Sequence, residues 1–276
     1  MMSLNKSGAK RTGSAAHARQ YIPAAVLVIG LLLLWQVGTA IWHVPRLILP
    51  SPTDIARAGV QAAPLLGPHI LQTVRETLVG FALALAGGLV LALIVDASPS
   101  LRRAVYPLLV VSQTIPIIAI APLLVIWFGY GILPKVVVVG LVCFFPIVIN
   151  AADGFQAADP DLLQLLRAMG ATPRQIFWKV RAPGALPSLF TGLKIAVTYS
   201  VIGAIIGEWV GASRGLGVFM LRASNSFRTD WVFAAVAITS ILSIVLFAVV
   251  AALQRALMPW YYTEARTEVW EEIRAR

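Results

Sequence analysis

"LLRAMGATPRQIFWKVRAPGALPS", residues 165–188, carries Arg167, Arg174, Lys179 and Arg181 and three prolines between two regions almost free of charge. The preceding "DPDLLQLLRAM" has Asp159 as an N-cap and Pro160 at the first helical position. Leu162, Leu163, Leu165 and Leu166 give that segment an apolar face. Gly170 is a helix stop, and Thr172–Pro173 restarts a helix over "RQIFWKVRA". Pro183 and Pro187 mark a return to apolar sequence. The spacing predicts two short helices around a turn.

The flanks decide what kind of fold holds this insert. Of 276 residues, 59% are hydrophobic and 12% charged, about half the charge of a soluble domain. A spanning helix needs about 20 mostly apolar residues. Tyr21–Trp42, Thr77–Val95, Ala104–Pro134, Val136–Ala152 and Trp231–Leu253 contain no charge, and Ala182–Val210 contains only Lys194 and Glu208. The fold class expected is all-α: a polytopic membrane protein with six transmembrane helices, the third run holding a span and a following turn. The first run is longer than the roughly 7–15 apolar residues of a signal peptide and reads as an uncleaved span.

Six spans put both termini on one side. Lys and Arg number fourteen in the loops and tails of that side (Arg167–Arg181 among them) and seven in the opposite loops. The positive-inside rule then places the termini and the opening stretch in the cytoplasm. The expected organisation is a cytoplasmic tail over 1–20, a six-span domain over 21–256 with a cytoplasmic loop at 153–187, and a second cytoplasmic tail over 257–276. The net charge of +10 is accounted for by this flanking pattern, so nucleic acid is not an expected partner. Cys143, the single cysteine, lies in an apolar run, and His17, His43 and His69 form no metal-ligand cluster.

Read alone, the insert is equally a connector resting on lipid headgroups or a functional loop, since long loops tend to be functional. Its spacing resembles the cytoplasmic loop of bacterial ABC-importer permeases, the binding-protein-dependent transport inner-membrane family. That loop reads E-A-A, three residues, Gly, nine residues, then I-x-L-P. Gly170 takes the glycine position, Val180 the isoleucine, and Ala182–Pro183 the Leu-Pro. Gln164, Leu165 and Leu166 stand at Glu-Ala-Ala, so the acidic residue is absent. "LPSPTDIARA" at 49–58 and "SQTIPIIAIAPLLVIWFGYGILPKV" at 112–136 are similar to the sulfonate, nitrate and taurine branch, and to members handling thiamine-precursor pyrimidines or riboflavin. The resemblance covers about Leu49 to Tyr262.

It implies a type I ABC-importer permease of the bacterial inner membrane, working with two ABC ATPase subunits and an external solute-binding protein, as a permease homodimer. Gln164, Leu165, Leu166, Arg167, Met169, Gly170, Ala171, Thr172 and Pro183 would form the ATPase-coupling loop. In that role Leu165, Leu166, Met169 and Ala171 supply an apolar knob, Arg167 and Arg174 orient it, and the prolines set the angle at which it joins span five. The solute expected is a thiamine-precursor pyrimidine or related heterocycle; sulfonate, taurine or nitrate is the alternative.

The residues themselves add further expectations. There is no G-x-x-x-x-G-K-[ST] for ATP, no Ser-His-Asp order and no HExxH. The chain is therefore not expected to be an enzyme or to need a cofactor or metal. Gln113 and Thr114, beside Pro116 and Pro122, face a polar translocation path or mark a static kink; Asn150, beside Pro146, has the same two readings. Gly203, Gly207, Gly211 and Gly215 recur every fourth residue and would bare one helix face for close packing, within the chain or at a dimer seam. Glu208 is expected near a span end, either paired with Arg75 or Arg214 or lining the path. Lys194 snorkels to the opposite interface, and Arg75–Glu76 is an interface anchor or a contact for the binding protein. A secondary transporter driven by ions would want several intramembrane ionisable residues, and only Glu208 and Lys194 qualify on sequence.

Overall fold

The computed structural model describes residues 12–261; of the tails expected over 1–20 and 257–276, the parts 1–11 and 262–276 lie outside the described residues. All its regular elements are helices: α1 (Thr12–Ile41), α2 (Pro52–Ala97), α3 (Pro99–Ser112), α4 (Ile117–Phe128), α5 (Leu133–Gln156), α6 (Pro160–Ala168), α7 (Pro173–Ile176), a π-helical turn (Phe177–Arg181), α8 (Ala182–Trp209), α9 (Leu216–Asn225) and α10 (Thr229–Leu257). Five stretches are long and apolar enough to cross a membrane, or six if α3 and α4 together count as one.

The chain divides into two compact units. The smaller takes the chain up to Ala62 together with Ala223–Ala234. Here "SPTD" starts α2: Pro52 occupies the first turn, and Asp54 N–H donates to Ser51 Oγ at 3.3 Å, as N-terminal caps do. Thr229 Oγ1 donates to Leu47 O at 2.7 Å, Arg46 pairs with Asp54 at 3.3 Å, and Trp35 meets Phe233 with centroids 6.0 Å apart. From Ile22 to Leu34 the exposed surface of α1 is apolar, Leu27, Leu31 and Leu34 among it, which suits lipid and not water.

The larger unit is Ala63–Arg222 and the chain from Ala235. Its centre is the pair α5 and α8. Val139, Cys143 and Ile147 of α5 are buried against Ala196, Val197 and Ala204 of α8, with Ala84 of α2 in the same cluster. Glycines set the spacing. A Cβ on Gly192 would lie 2.6 Å from Pro146 O, on Gly203 3.3 Å from Val139 Cα, and on Gly207 3.1 Å from Lys135 Cα. Backbones in such contact gain dispersion energy over a long seam, the means by which helices associate where lipid removes the hydrophobic drive.

Three expectations change. The run 104–134 is not one straight span: α3 and α4 meet at 96°. With 14 and 12 residues they are about 21 and 18 Å long, each short of a roughly 30 Å hydrocarbon core. Pro116 lacks an N–H and disfavours a helical Ile115 before it, so the helix breaks instead of kinking. Second, α2 begins well before Thr77. Its 46 residues reach about 69 Å, more than twice the hydrocarbon thickness, so part of it lies outside. Third, α8 ends at Trp209, so of the four spaced glycines only Gly203 and Gly207 share its face. That face packs on α5 within the chain. Gly211 lies in the following turn against the Tyr130 ring, and Gly215 adopts φ +137° under the Glu208 carboxyl.

Candidate functional site

At one end of the larger unit, α6 and α7 form the basic insert. Asp159 Oδ1 accepts from Asp161 N–H at 2.9 Å. The helix then ends as its sequence dictates: Gly170 takes φ +83°, its N–H donates to Arg167 O at 3.0 Å, and Ala171 N–H donates to Leu166 O at 2.9 Å. That is a Schellman motif, in which glycine satisfies the left-handed position. Thr172 restarts the chain with a capping box: Gln175 N–H donates to Thr172 Oγ1 at 3.3 Å, and Thr172 N–H donates back to Gln175 Oε1 at 2.8 Å. Backbone and side-chain bonds on both sides of the turn therefore fix it rather than leave it loose.

This insert buries none of α6. Leu165 is 57% and Met169 75% exposed; Gln164, Arg167, Gly170 and Thr172 are exposed, and Leu166, Ala171 and Pro183 half-buried. An apolar tip held by a rigid turn is what a protein partner can grip. The expected second short helix is instead the beginning of a stem. Residues 173–209 run on as one 37-residue stretch, with Pro183 in the first turn of α8 and Pro187 inside it. Pro183 lies just past the π-helical turn Phe177–Arg181, and the helix runs on through it.

The foot of the stem is tied down. Arg181 Nη2 donates to Asp96 Oδ1 at 2.6 Å and to Phe155 O at 2.9 Å, while its Nε reaches Phe155 O at 3.1 Å. Gln156 Nε2 donates to the same Asp96 oxygen at 2.9 Å. Next to it Arg102 pairs with Asp153 at 3.0 Å, and Tyr106 donates to Asp153 at 3.2 Å. The last carbonyls of a helix lack intrahelical donors, and Arg181 supplies one to α5.

At the other end of α8, Glu208 is buried at 1% exposure. Its Oε1 accepts from Thr73 Oγ1 at 2.6 Å and its Oε2 from Gly217 N–H at 2.5 Å. Thr73 Oγ1 accepts in turn from Leu216 N–H at 2.9 Å. His69 Nδ1 meets Gly215 at 2.9 Å from its N and 2.7 Å from its O. Glu76, equally buried, takes a 2.7 Å bond from Gln72 Nε2 at Oε1, while its Oε2 has no hydrogen-bond partner among the described residues. Lys135, also 1% exposed, donates to Gly131 O at 2.6 Å and Gly211 O at 2.7 Å. A buried ammonium near buried carboxyl groups lowers the cost of burying each. A cleft of about 600 Å³ adjoins it, lined by Gln72, Glu76, Tyr130, Lys135, Ser213 and Arg214.

Several sequence expectations fall here. Glu208 is bound by Thr73 and Gly217, not by Arg75 or Arg214. Glu76 is not an interface anchor, and Lys135 is not a loop charge; both belong with Glu208, so ionisable residues within the helices are more numerous than Glu208 and Lys194. Lys194 lies 5.9 Å over the Phe247 ring. The candidate path residues do not meet in one place. Gln113 and Thr114 line a cavity of about 340 Å³ at the α3–α4 break with Phe145, Pro146 and Tyr199. Asn150 bonds its own helix at Pro146 O, 2.8 Å, and packs on Gly192. The missed residues had a signal: His69, Thr73 and Glu76 recur at i, i+4, i+7, one helix face, and Lys135 stands in a first helical turn, where the helix dipole disfavours a cation.

An all-helical core of glycine-spaced spans with a rigid, apolar-tipped insert defines a transport permease. The chain belongs to the family described as binding-protein-dependent transport system inner membrane component, whose model matches residues 84–261, and it is an ABC-importer permease of the multi-pass inner-membrane kind. It is 41% identical over 242 residues to the formylaminopyrimidine transport permease protein of Halalkalibacterium halodurans, covering 87% of this chain and 96% of the relative. It is 36% identical over 243 residues to the riboflavin transport system permease protein of Chloroflexus aurantiacus, covering 86% and 91%. The inward-facing methionine ABC transporter shares the fold, with a TM-score of 0.62 at 23% identity over 71% of this chain and 97% of that one.

Proposed function

We propose that this chain carries a thiamine-precursor pyrimidine or a related heterocycle across the inner membrane, as one of two identical permease subunits. An external binding protein delivers the solute, two ATPase subunits drive the cycle, and both termini face the cytoplasm. The observation that carries the substrate reading is the 41% identity, along nearly the whole length of both chains, to a permease named for formylaminopyrimidine.

The mechanical reading rests on the insert. Closure of the ATPase subunits pushes the apolar tip at Leu165–Thr172. The Gly170 turn and the Thr172 capping box pass that push to the stem without slack, and α8 moves with it. Gln164 stands where the family pattern has an acidic residue, so the grip comes from shape and apolar contact. Gln113 and Thr114 would line the path at the α3–α4 break.

Buried Glu76, Lys135 and Glu208 are the kind of groups an ion-coupled carrier uses, but Glu208 and Lys135 are engaged by protein donors and acceptors, and membership of the permease family supports ATP as the energy source. The test is ligand binding by the partner binding protein, followed by uptake into vesicles. Formylaminopyrimidine binding with uptake that needs ATP supports the reading. Binding of taurine, an alkanesulfonate or nitrate in its place overturns the substrate, and uptake without the ATPase overturns the mechanism.

A further inference from the structure

We infer that Arg181 and Asp96 form the joint through which the insert moves α2 as well as α8, so that both helices act as one strut in the transport cycle. The inference rests on the proposed coupling role of the insert and adds the element that carries its motion onward.

The insert continues covalently into α8, but nothing covalent links it to α2. The polar contact that does so is Arg181 on Asp96, 2.6 Å, within a cage that also holds Gln156 and Phe155 O. Asp96 is 6% exposed and Arg181 23%. A largely desolvated, charge-assisted bond with a second fork of the guanidinium on a carbonyl is stiff and directional. Arg181 closes the π-helical turn Phe177–Arg181, and such turns mark functional positions in helices. Phe177 of the same turn packs 5.7 Å from Phe155 and against the cluster of Ala92, Val95, Ala151 and Ala185. The joint therefore sits where an irregular helical turn, an ion pair and an aromatic contact coincide.

The same two helices are tied again farther along, by Thr73 in the middle of α2 on Glu208 near the end of α8, at 2.6 Å. From Asp96 to Thr73 is 23 residues of α2 and from Arg181 to Glu208 27 residues of α8, about 35 and 40 Å at 1.5 Å per residue. The two ties thus bracket an antiparallel stretch of α2 and α8 about as long as a membrane is thick. With both ties in place, a push on the insert displaces α2 and α8 together and reaches the Gly215–Gly217 backbone that His69, Thr73 and Glu208 hold. With the Arg181–Asp96 tie cut, α8 moves without α2 and the push is lost in sliding between them. Arg181 and Asp96 are positioning residues; neither needs to touch solute or ATP.

The experiment uses the full complex in proteoliposomes, with solute uptake and ATP hydrolysis measured on the same preparation. Asp96→Asn keeps size and an acceptor oxygen while removing the charge, and Arg181→Lys keeps the charge while losing the fork to Phe155 O. The result expected is that ATP hydrolysis persists while solute moved per ATP falls about tenfold in Asp96→Asn, the size of a typical coupling loss, and less in Arg181→Lys. The exchanged pair Asp96→Arg with Arg181→Asp recovers part of the ratio lost by Asp96→Arg alone, a rescue that mere destabilisation does not produce. An unchanged ratio in Asp96→Asn, or an exchange no better than the single charge reversal, overturns the joint. Met169→Asp separates this outcome from failure of the insert itself: if Met169→Asp leaves assembly and hydrolysis intact, the coupling role of the insert is wrong, whatever Asp96 does.

Discussion

Thr73 and Glu208 lie 135 positions apart in the chain and are joined by a buried 2.6 Å hydrogen bond. Thr73 is on α2 and Glu208 closes α8, and between them they hold the backbone of Leu216 and Gly217. A carboxyl group inside a membrane protein is costly on its own; here every oxygen of Glu208 has a donor.

Glu208→Ala removes two acceptors at once and leaves Thr73 and the Gly217 N–H unsatisfied. It should lower stability by about 3 kcal/mol, the cost of orphaning buried donors. Glu208→Gln keeps the shape and one of the two acceptor oxygens, so its cost should be smaller, about 1–2 kcal/mol. Thermal unfolding in detergent compares the two.

Lys135 clamps Gly131 O and Gly211 O from within the same buried region. Lys135→Met should cost about 3 kcal/mol by leaving buried partners uncompensated. Adding Glu76→Gln removes a charge that Lys135 balanced, so the double variant should be more stable than the sum of the single losses. A double-mutant cycle measures that coupling.

The α5–α8 seam gives a prediction of opposite character. Gly192→Leu would force a side chain into Pro146 O and Asn150, separating the helices at a cost of about 3 kcal/mol. On the same helix, a Cβ added at Gly184 would meet nothing within 4 Å, so Gly184→Ala should be neutral or slightly stabilising. Yield of folded protein after detergent extraction distinguishes them.

The parts legible in the sequence were those written in local chemistry. Charge-free runs marked the spans, Asp159–Pro160 and Thr172–Pro173 marked two helix starts, and Gly170 marked the stop between them. What was not legible depended on long-range geometry. Glu76 next to Arg75 and Lys135 next to Pro134 read as interface charges, because nothing local says that two other helices will close over them. Pro116 signalled a kink, but whether the chain bends gently or by 96° depends on what packs on both sides. The four spaced glycines looked like one face only while α8 was taken to extend beyond Trp209.

Gly170 tests whether the insert acts through its shape. At φ +83° a β-branched residue is strained by about 1–2 kcal/mol, and Gly170→Val should shift the tip relative to the stem. Gly170→Asn tolerates the left-handed conformation better. Hydrolysis stimulated by the loaded binding protein should fall in Gly170→Val and be largely kept in Gly170→Asn.

The most direct measurement is ATP-driven uptake of formylaminopyrimidine by the reconstituted complex, with the native Leu165–Thr172 segment and with that segment scrambled. The account predicts uptake that requires ATP, ATPase and binding protein together, and that vanishes with the scrambled segment along with stimulated hydrolysis. Uptake and stimulated hydrolysis that survive the scrambling would contradict it.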